Sequence, residues 1–275
     1  MKEDEIANNA ASRRNFLKGA GMTGLGLAGA TLIGSSFGAG VQKANAAVVT
    51  DGSYNDADIV NFALNLEYLE AEFYSMATYG ATLVQRGILT KADETGPTTG
   101  GRKVNGWNTK TPPTAYLATA LREDEMKHVL FLRSVLGSGA VKKPAINLDA
   151  VGFGFADVGS FLMLARIFED VGVSAYLGAA PLISSKVYLG AAAAILATEA
   201  QHAGSIRVYC IIKGVKSPKV DSKDIPPTPS NVYDVDSNAL SIPRTTAEVL
   251  RIVYGGGKCS GGFYPDGMNG YITCA

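Results

Sequence analysis

Only two histidines occur among the 275 residues of this chain, and each stands three residues after a glutamate. The pairs are Glu125 and His128 in EMKH, and Glu199 and His202 in EAQH. On a helix, a spacing of three places both side chains on one face about one turn apart, so both can reach a single point off the helix. Two further helical patterns carry a glutamate with a tyrosine seven residues on: Glu67 and Tyr74 in NLEYLEAEFY, Glu169 and Tyr176 in FEDVGVSAY. Seven residues make two turns, so each pair shares a stripe. The order Glu, Glu-x-x-His, Glu, Glu-x-x-His is a two-fold repeat of a helix pair. One Glu-x-x-His alone is as readily a surface hydrogen-bonded pair. Two of them, with one glutamate from each of two other helices, form the set that holds two iron or manganese ions inside a four-helix bundle.

Charge leads to the same place. Four carboxylates in an apolar bundle are costly without compensation, since even one isolated buried charge costs several kcal/mol. Two divalent ions bring four positive charges and cancel them. Mixed glutamate and histidine ligation suits iron or manganese better than zinc.

The apolar spacing predicts four long helices, over about 56–79, 114–136, 157–183 and 185–214. Their one interior proline is Pro181, close to the third helix's end. The economical fold is all-α, an antiparallel four-helix bundle over 47–214. A Gly/Thr/Pro/Asn-rich connection over 80–113 holds the one tryptophan, Trp107, and is expected to fold over one bundle end. Residues 215–275 read as a loop-rich extension packed on the bundle, with a short helix over 245–253 and an irregular Gly-rich tail. Formal net charge is zero, with no Lys/Arg-rich run outside the N-terminus, which argues against a nucleic-acid partner. Three cysteines form no C-x-x-C metal site. Cys259 and Cys274 share the tail while Cys210 lies on the fourth helix, so an oxidising compartment would pair the first two.

Residues 1–46 read as a targeting segment: Arg13 and Arg14 in SRRNFLK, a Gly/Ala-rich apolar run, then Ala44-Asn45-Ala46 as an A-x-A-like cut site. SRRNFLK resembles the twin-arginine export signal, which implies a protein that crosses folded into the periplasm or beyond. An uncleaved anchor is the alternative, weakened by the many glycines in the run. No stable membrane insertion is expected once the signal is removed.

Several residues near the six have more than one reading. Glu70, one turn from Glu67, is an extra ligand or an acid beside the ligands. Glu72 falls on another face of that helix. Tyr74 and Tyr176 are core phenols or redox relays. Asp124 and Asp170 point about 100° away from their ligand neighbours, on solvent-facing positions or against a ligand of a neighbouring helix. Arg207 reads as a solvated helix end.

With these motifs in view, the chain resembles the ferritin-like superfamily, and within it bacterial proteins related to plant desiccation-related proteins, whose tails carry something like AEVLRIVYGG and GGFYPDGMNG. The resemblance implies Glu67, Glu125, His128, Glu169, Glu199 and His202 as ligands of two Fe or Mn ions per chain, with Glu125 and Glu199 as bridges. It implies handling of oxygen or peroxide, as in ferroxidases or manganese catalases, or a non-enzymatic role in desiccation and stress. Iron storage fits least, because the long connection and the tail would obstruct a closed shell. The oligomeric state is left open.

Overall fold

The computed structural model describes residues 54–107 and 113–275, so the expected export signal lies outside the described residues. Four long helices form, α1 (Asp56–Tyr79), α2 (Pro113–Leu136), α3 (Val158–Ala179) and α4 (Lys186–Lys213), then a short α5 (Thr246–Val253). Among the described residues the one sheet is a parallel pair, β1 (Thr98–Thr99) with β2 (Ile146–Asn147). The all-α bundle expected from the spacing, ferritin-like as the resemblance implies, is the fold observed. No helix among the described residues is long and apolar enough to cross a membrane.

Local chemistry sets the helix ends. Asn55 accepts from the Asp58 N–H at 3.0 Å while the Asp58 carboxylate accepts from the Asn55 N–H at 3.0 Å, a reciprocal box that starts α1. Gly80, at a φ of 84°, closes it in the left-handed conformation that glycine adopts freely. Asp157 and Ser185 cap α3 and α4. α3 stops at Ala179, short of the expected 183, and a 3-10 turn follows over Ala180–Leu182. Pro181 in that turn has no N–H to continue an α pattern.

Side-chain contacts give the helix directions. Arg133 donates to the Tyr68 hydroxyl at 2.7 Å and Arg122 to the Thr78 hydroxyl at 3.3 Å, so α1 and α2 are antiparallel. Cys210 donates to the Leu162 carbonyl, and Arg207 to Asp170 at 2.6 Å, so α3 and α4 are antiparallel too. Tyr74 reaches Glu169 and Tyr176 reaches Glu67, which makes α1 antiparallel to α3. It follows that α2 and α3 run parallel. A helix of this length spans about 36 Å, so the chain over 137–157 must travel the length of the bundle to start α3.

The sequence suggested that the 80–113 connection folds over one bundle end; its described part, 80–107, does not. It leaves α1 beside Glu72, reaches Arg133 through Asp93, and returns so that Trp107 donates to the Ala77 carbonyl at 3.1 Å. It thus lies along the α1–α2 flank, where β1 pairs with β2 of the crossover. This covers α1 and explains buried polar residues there. Asn61 is tied to Gly139 and Val141, and Asn65 to Asn269 of the tail. Glu72 is likewise buried, accepting from the Leu83 N–H at 3.1 Å, and burial raises its pKa to about 7 against the opposing Lys143 charge.

Residues 215–275 are held against α3 and α4 by buried arginines. Arg207 is no solvated helix end: it is 1% exposed and donates to Asp170, to the Val232 carbonyl at 2.7 Å and to the Ile225 carbonyl at 2.9 Å. Arg166 grips Asp224 with contacts of 2.7 and 2.9 Å. Arg244 donates to the Ser174 hydroxyl at 2.9 Å, and its carbonyl comes so near Gly178 that an added Cβ would stand 1.9 Å away. Removing one partner of such a buried pair leaves a charge without compensation. Arg207→Ala is expected to cost about 3–5 kcal/mol in a denaturant titration, and Arg207→Lys to recover little of it, lacking the planar fork. Cys259 and Cys274 form the expected disulfide, and Cys210 is buried and free.

Candidate metal centre

The bundle brings all six predicted residues together. Glu67 comes from α1, Glu125 and His128 from α2, Glu169 from α3, Glu199 and His202 from α4. The four glutamates are fully buried, and the two histidines are 9% and 7% exposed. They fall into two groups able to hold a metal ion, Glu67, Glu125, His128 and Glu199 in one, and Glu125, Glu169, Glu199 and His202 in the other. Within each group one ligand atom per residue lies within 4.8 Å of the rest. Glu125 and Glu199 belong to both groups. Each of these two glutamates could therefore serve either group.

Both imidazoles turn Nδ1 inward. His128 Nδ1 stands 3.2 Å from Glu67 Oε2, 3.1 Å from Glu125 Oε2 and 3.3 Å from Glu199 Oε1. His202 Nδ1 stands 2.9 Å from Glu125 Oε1 and 3.5 Å from Glu169 Oε2. The two oxygens of Glu125 are therefore divided between the two histidines. The 2.9 Å approach lacks hydrogen-bond alignment, and both of its atoms count among the buried polar atoms without a partner. So do Glu169 Oε2 and both oxygens of Glu199. Such atoms are rare in a folded interior because each costs its full desolvation. Their convergence on one interior point is what a cation would satisfy.

The outer oxygens are anchored. Tyr176 donates to Glu67 Oε1 at 2.5 Å, and Tyr74 donates to Glu169 Oε1. Each tyrosine thus serves the glutamate of the other helix, not the one on its own stripe. Seven residues separate a tyrosine from its own glutamate by about 10 Å along the axis, beyond hydrogen-bond reach, while the antiparallel α1–α3 pairing sets it opposite its counterpart. Asp124 Oδ2 lies 3.5 Å from His202 Nε2, the ring atom facing away from the cluster. Asp170 turns instead to Arg207, with Arg166 beyond it at 3.6 Å. Glu70 is buried next to Glu199 but belongs to neither four-residue group.

The protonation pattern shows how far the cluster is from neutral comfort. Burial raises Glu67 to about 7, partly offset by His128. Burial, then the charges of Glu125 and Glu169, holds Glu199 well above the usual range. Glu70 is raised the same way, by burial and then by four surrounding carboxylates. Burial would depress His202, yet the facing Glu169 and Glu125 charges push it up to about 12. Burial would raise Glu125, but its contacts with both histidines hold it below the ordinary value. A third carboxylate group, Asp170, Asp224 and Asp234, has its compensation within the protein, from Arg166 and Arg207.

Sequence reasoning missed two neighbours, Gly172 and Tyr264, whereas Asp124, read as able to support a neighbouring helix, faces His202 of α4. Tyr264 comes from the tail, donates to the Asn65 carbonyl at 2.7 Å, and has a pKa raised by burial and then by Glu70. Nothing in its local sequence could have placed it there, since its partner lies 199 residues away.

Comparison with known proteins agrees with this architecture. The ferritin-like catalase Nec2 of Nesocodon mauritianus is 26% identical over 275 residues, covering 79% of this chain and 85% of that protein. The family model described as a ferritin-like domain matches residues 55–210, the stretch that carries all six converging side chains. Bundle, ligand geometry and family match coincide on the same residues, and the chain belongs to the ferritin-like domain family.

Proposed function

We propose that this protein is an exported dimetal oxidoreductase that breaks down hydrogen peroxide outside the cytoplasm, with two iron or manganese ions as its metals. The observation that carries the reading is the pair of four-residue groups sharing Glu125 and Glu199. Similarity to a protein named a ferritin-like catalase supports peroxide as the substrate. When bound, such an ion pair would supply two-electron redox chemistry and Lewis acidity.

The rest is done by side chains. Glu67, Glu125, His128 and Glu199 would hold one ion, and Glu125, Glu169, Glu199 and His202 the other. Tyr176 and Tyr74 fix the outer oxygens of Glu67 and Glu169, which keeps the inner oxygens aimed at the ions. Asp124 faces Nε2 of His202, favouring the tautomer with its proton there and Nδ1 free to ligate. Tyr74 packs against Phe161 with ring centroids 5.8 Å apart, excluding water on that side. Glu70, buried beside Glu199, is the group placed to accept and return a proton.

Export by the twin-arginine route is supported by SRRNFLK and the cut-site pattern at Ala44-Asn45-Ala46. The Cys259–Cys274 disulfide suits an oxidising compartment. Protein recovered from that route should carry about two Fe or Mn ions per chain. An oxygen electrode should record one oxygen released for every two peroxides consumed. Loaded protein that leaves peroxide untouched would end the enzyme reading and favour a protective role for the loaded bundle.

A further inference from the structure

The bundle has one place where a missing side chain meets the metal ligands. Gly172 lies on α3 one turn beyond Glu169, with its Cα facing the cluster. A Cβ built there would stand 2.7 Å from Glu199 Oε2 and 3.3 Å from Glu70 Oε1. The first distance is too short for any real contact, so a side chain here would force the Glu199 carboxylate to move. Glu199 is shared by both four-residue groups, and its other oxygen is 3.3 Å from His128 Nδ1. Its carboxylate lies between the Gly172 backbone and the His128 ring, with Glu70 beside it and neither oxygen hydrogen-bonded. Backbone strain does not explain the glycine, because it sits inside a regular helix. Alanine would be the better helix former there, so the position runs against local propensity.

We infer that Gly172 is a positioning residue of the dimetal site: the space of its absent side chain is the seat of the Glu199 carboxylate. A methyl group at this position pushes Oε2 out of the seat, and the carboxylate swings away from the position it shares between the two four-residue groups. The carboxylate then serves one ion and not both. The inference rests on the reading that Glu199 bridges two ions, and its test is built on metal content and spectrum, not on turnover.

Gly172→Ala and wild type would be stripped of metal, then reloaded with manganese. Without metal the variant should melt at or above wild type, because a carboxylate with no ion to hold can swing aside. With metal, it should bind closer to one ion than two per chain and gain less in melting temperature. Its paramagnetic resonance spectrum should change from that of a coupled pair to that of isolated ions. Gly190→Ala on α4, where an added Cβ meets nothing within 4 Å, should match wild type throughout. Combining Gly172→Ala with Glu199→Asp should restore part of the coupled signal, since aspartate draws the carboxylate back by one methylene. A Gly172→Ala protein with a wild-type coupled spectrum and full loading would overturn the inference, as would failure of both the single and the double variant to fold. Wild type that binds no ion pair would overturn the underlying reading instead.

Discussion

Metal-free protein is expected to lose stability steadily as pH rises from about 5 to 8, and metal-loaded protein to lose it as pH falls across the same window. The sign follows from proton counts. Glu67 has its folded pKa raised from 4.5 to about 7 by burial, so between those values the folded state holds a proton that the unfolded chain has released. Stability falls with rising pH wherever the native state binds more protons. Glu70 and Glu199, also raised by burial, act in the same sense. His202, pushed from 6.5 to about 12 by the carboxylates facing it, extends the decline above neutrality. Glu125 acts the other way, but only below its ordinary value of 4.5, outside the window. The rise of Glu67 from 4.5 to about 7 corresponds by itself to a stability change on the order of 3 kcal/mol. With metal bound, protons compete with the ions for the same atoms, so acid releases the ions and the stability they confer. Urea titrations of chelated and loaded protein at several pH values decide the matter. Identical curves for the two forms at every pH would show that these carboxylates do not share a buried metal-binding cluster.

Removing a shared ligand should cost more metal than removing a terminal one. Glu125→Ala and Glu199→Ala each strip a donor from both four-residue groups, and are expected to leave less than about one ion per chain. His128→Ala and His202→Ala each touch one group, and should leave the other ion largely in place. Tyr176→Phe keeps every ligand but frees the outer oxygen of Glu67, and a loss of about 10–100-fold in affinity is expected. Metal analysis after dialysis against a graded chelator ranks the variants. Equal losses for bridge and terminal variants would contradict the shared arrangement. Lys213→Ala, exposed at the far end of α4, is the silent control. Glu72→Ala is not, because Glu72 is buried against the connection and offsets the buried Lys143.

The site was legible early because its chemistry is written at short range. Glu125 with His128, and Glu199 with His202, are pairs that helical periodicity alone sets on one face, and a second copy of each pattern made the repeat visible. Helix boundaries were legible for the same reason, since Asn55, Gly80, Asp157 and Ser185 act within one turn of themselves. The end of α3 was misplaced because Pro181 is tolerated by a tighter turn that periodicity does not register.

Contacts between distant segments were not legible. The tyrosines were read along their own helices, while Tyr74 and Tyr176 exchange glutamates across α1 and α3. Arg207 looked like a solvated end because its partners, Val232, Ile225 and Asp170, reach it from another helix and from a loop. The course of 80–107 along the flank depends on pairing with β2, which no local pattern announces.

Order along the chain was enough to say which six side chains could meet, which bundle would carry them and what charge they would need. These follow from 3.6-residue periodicity and from the cost of burying carboxylates. Packing in three dimensions was needed to show that α2 and α3 run parallel, that each outer glutamate is anchored by the tyrosine of the facing helix, and that Gly172 leaves room for the Glu199 carboxylate. Those features depend on how surfaces far apart in the chain meet, and a side chain's neighbours across a helix interface are set by that packing, not by spacing along the chain.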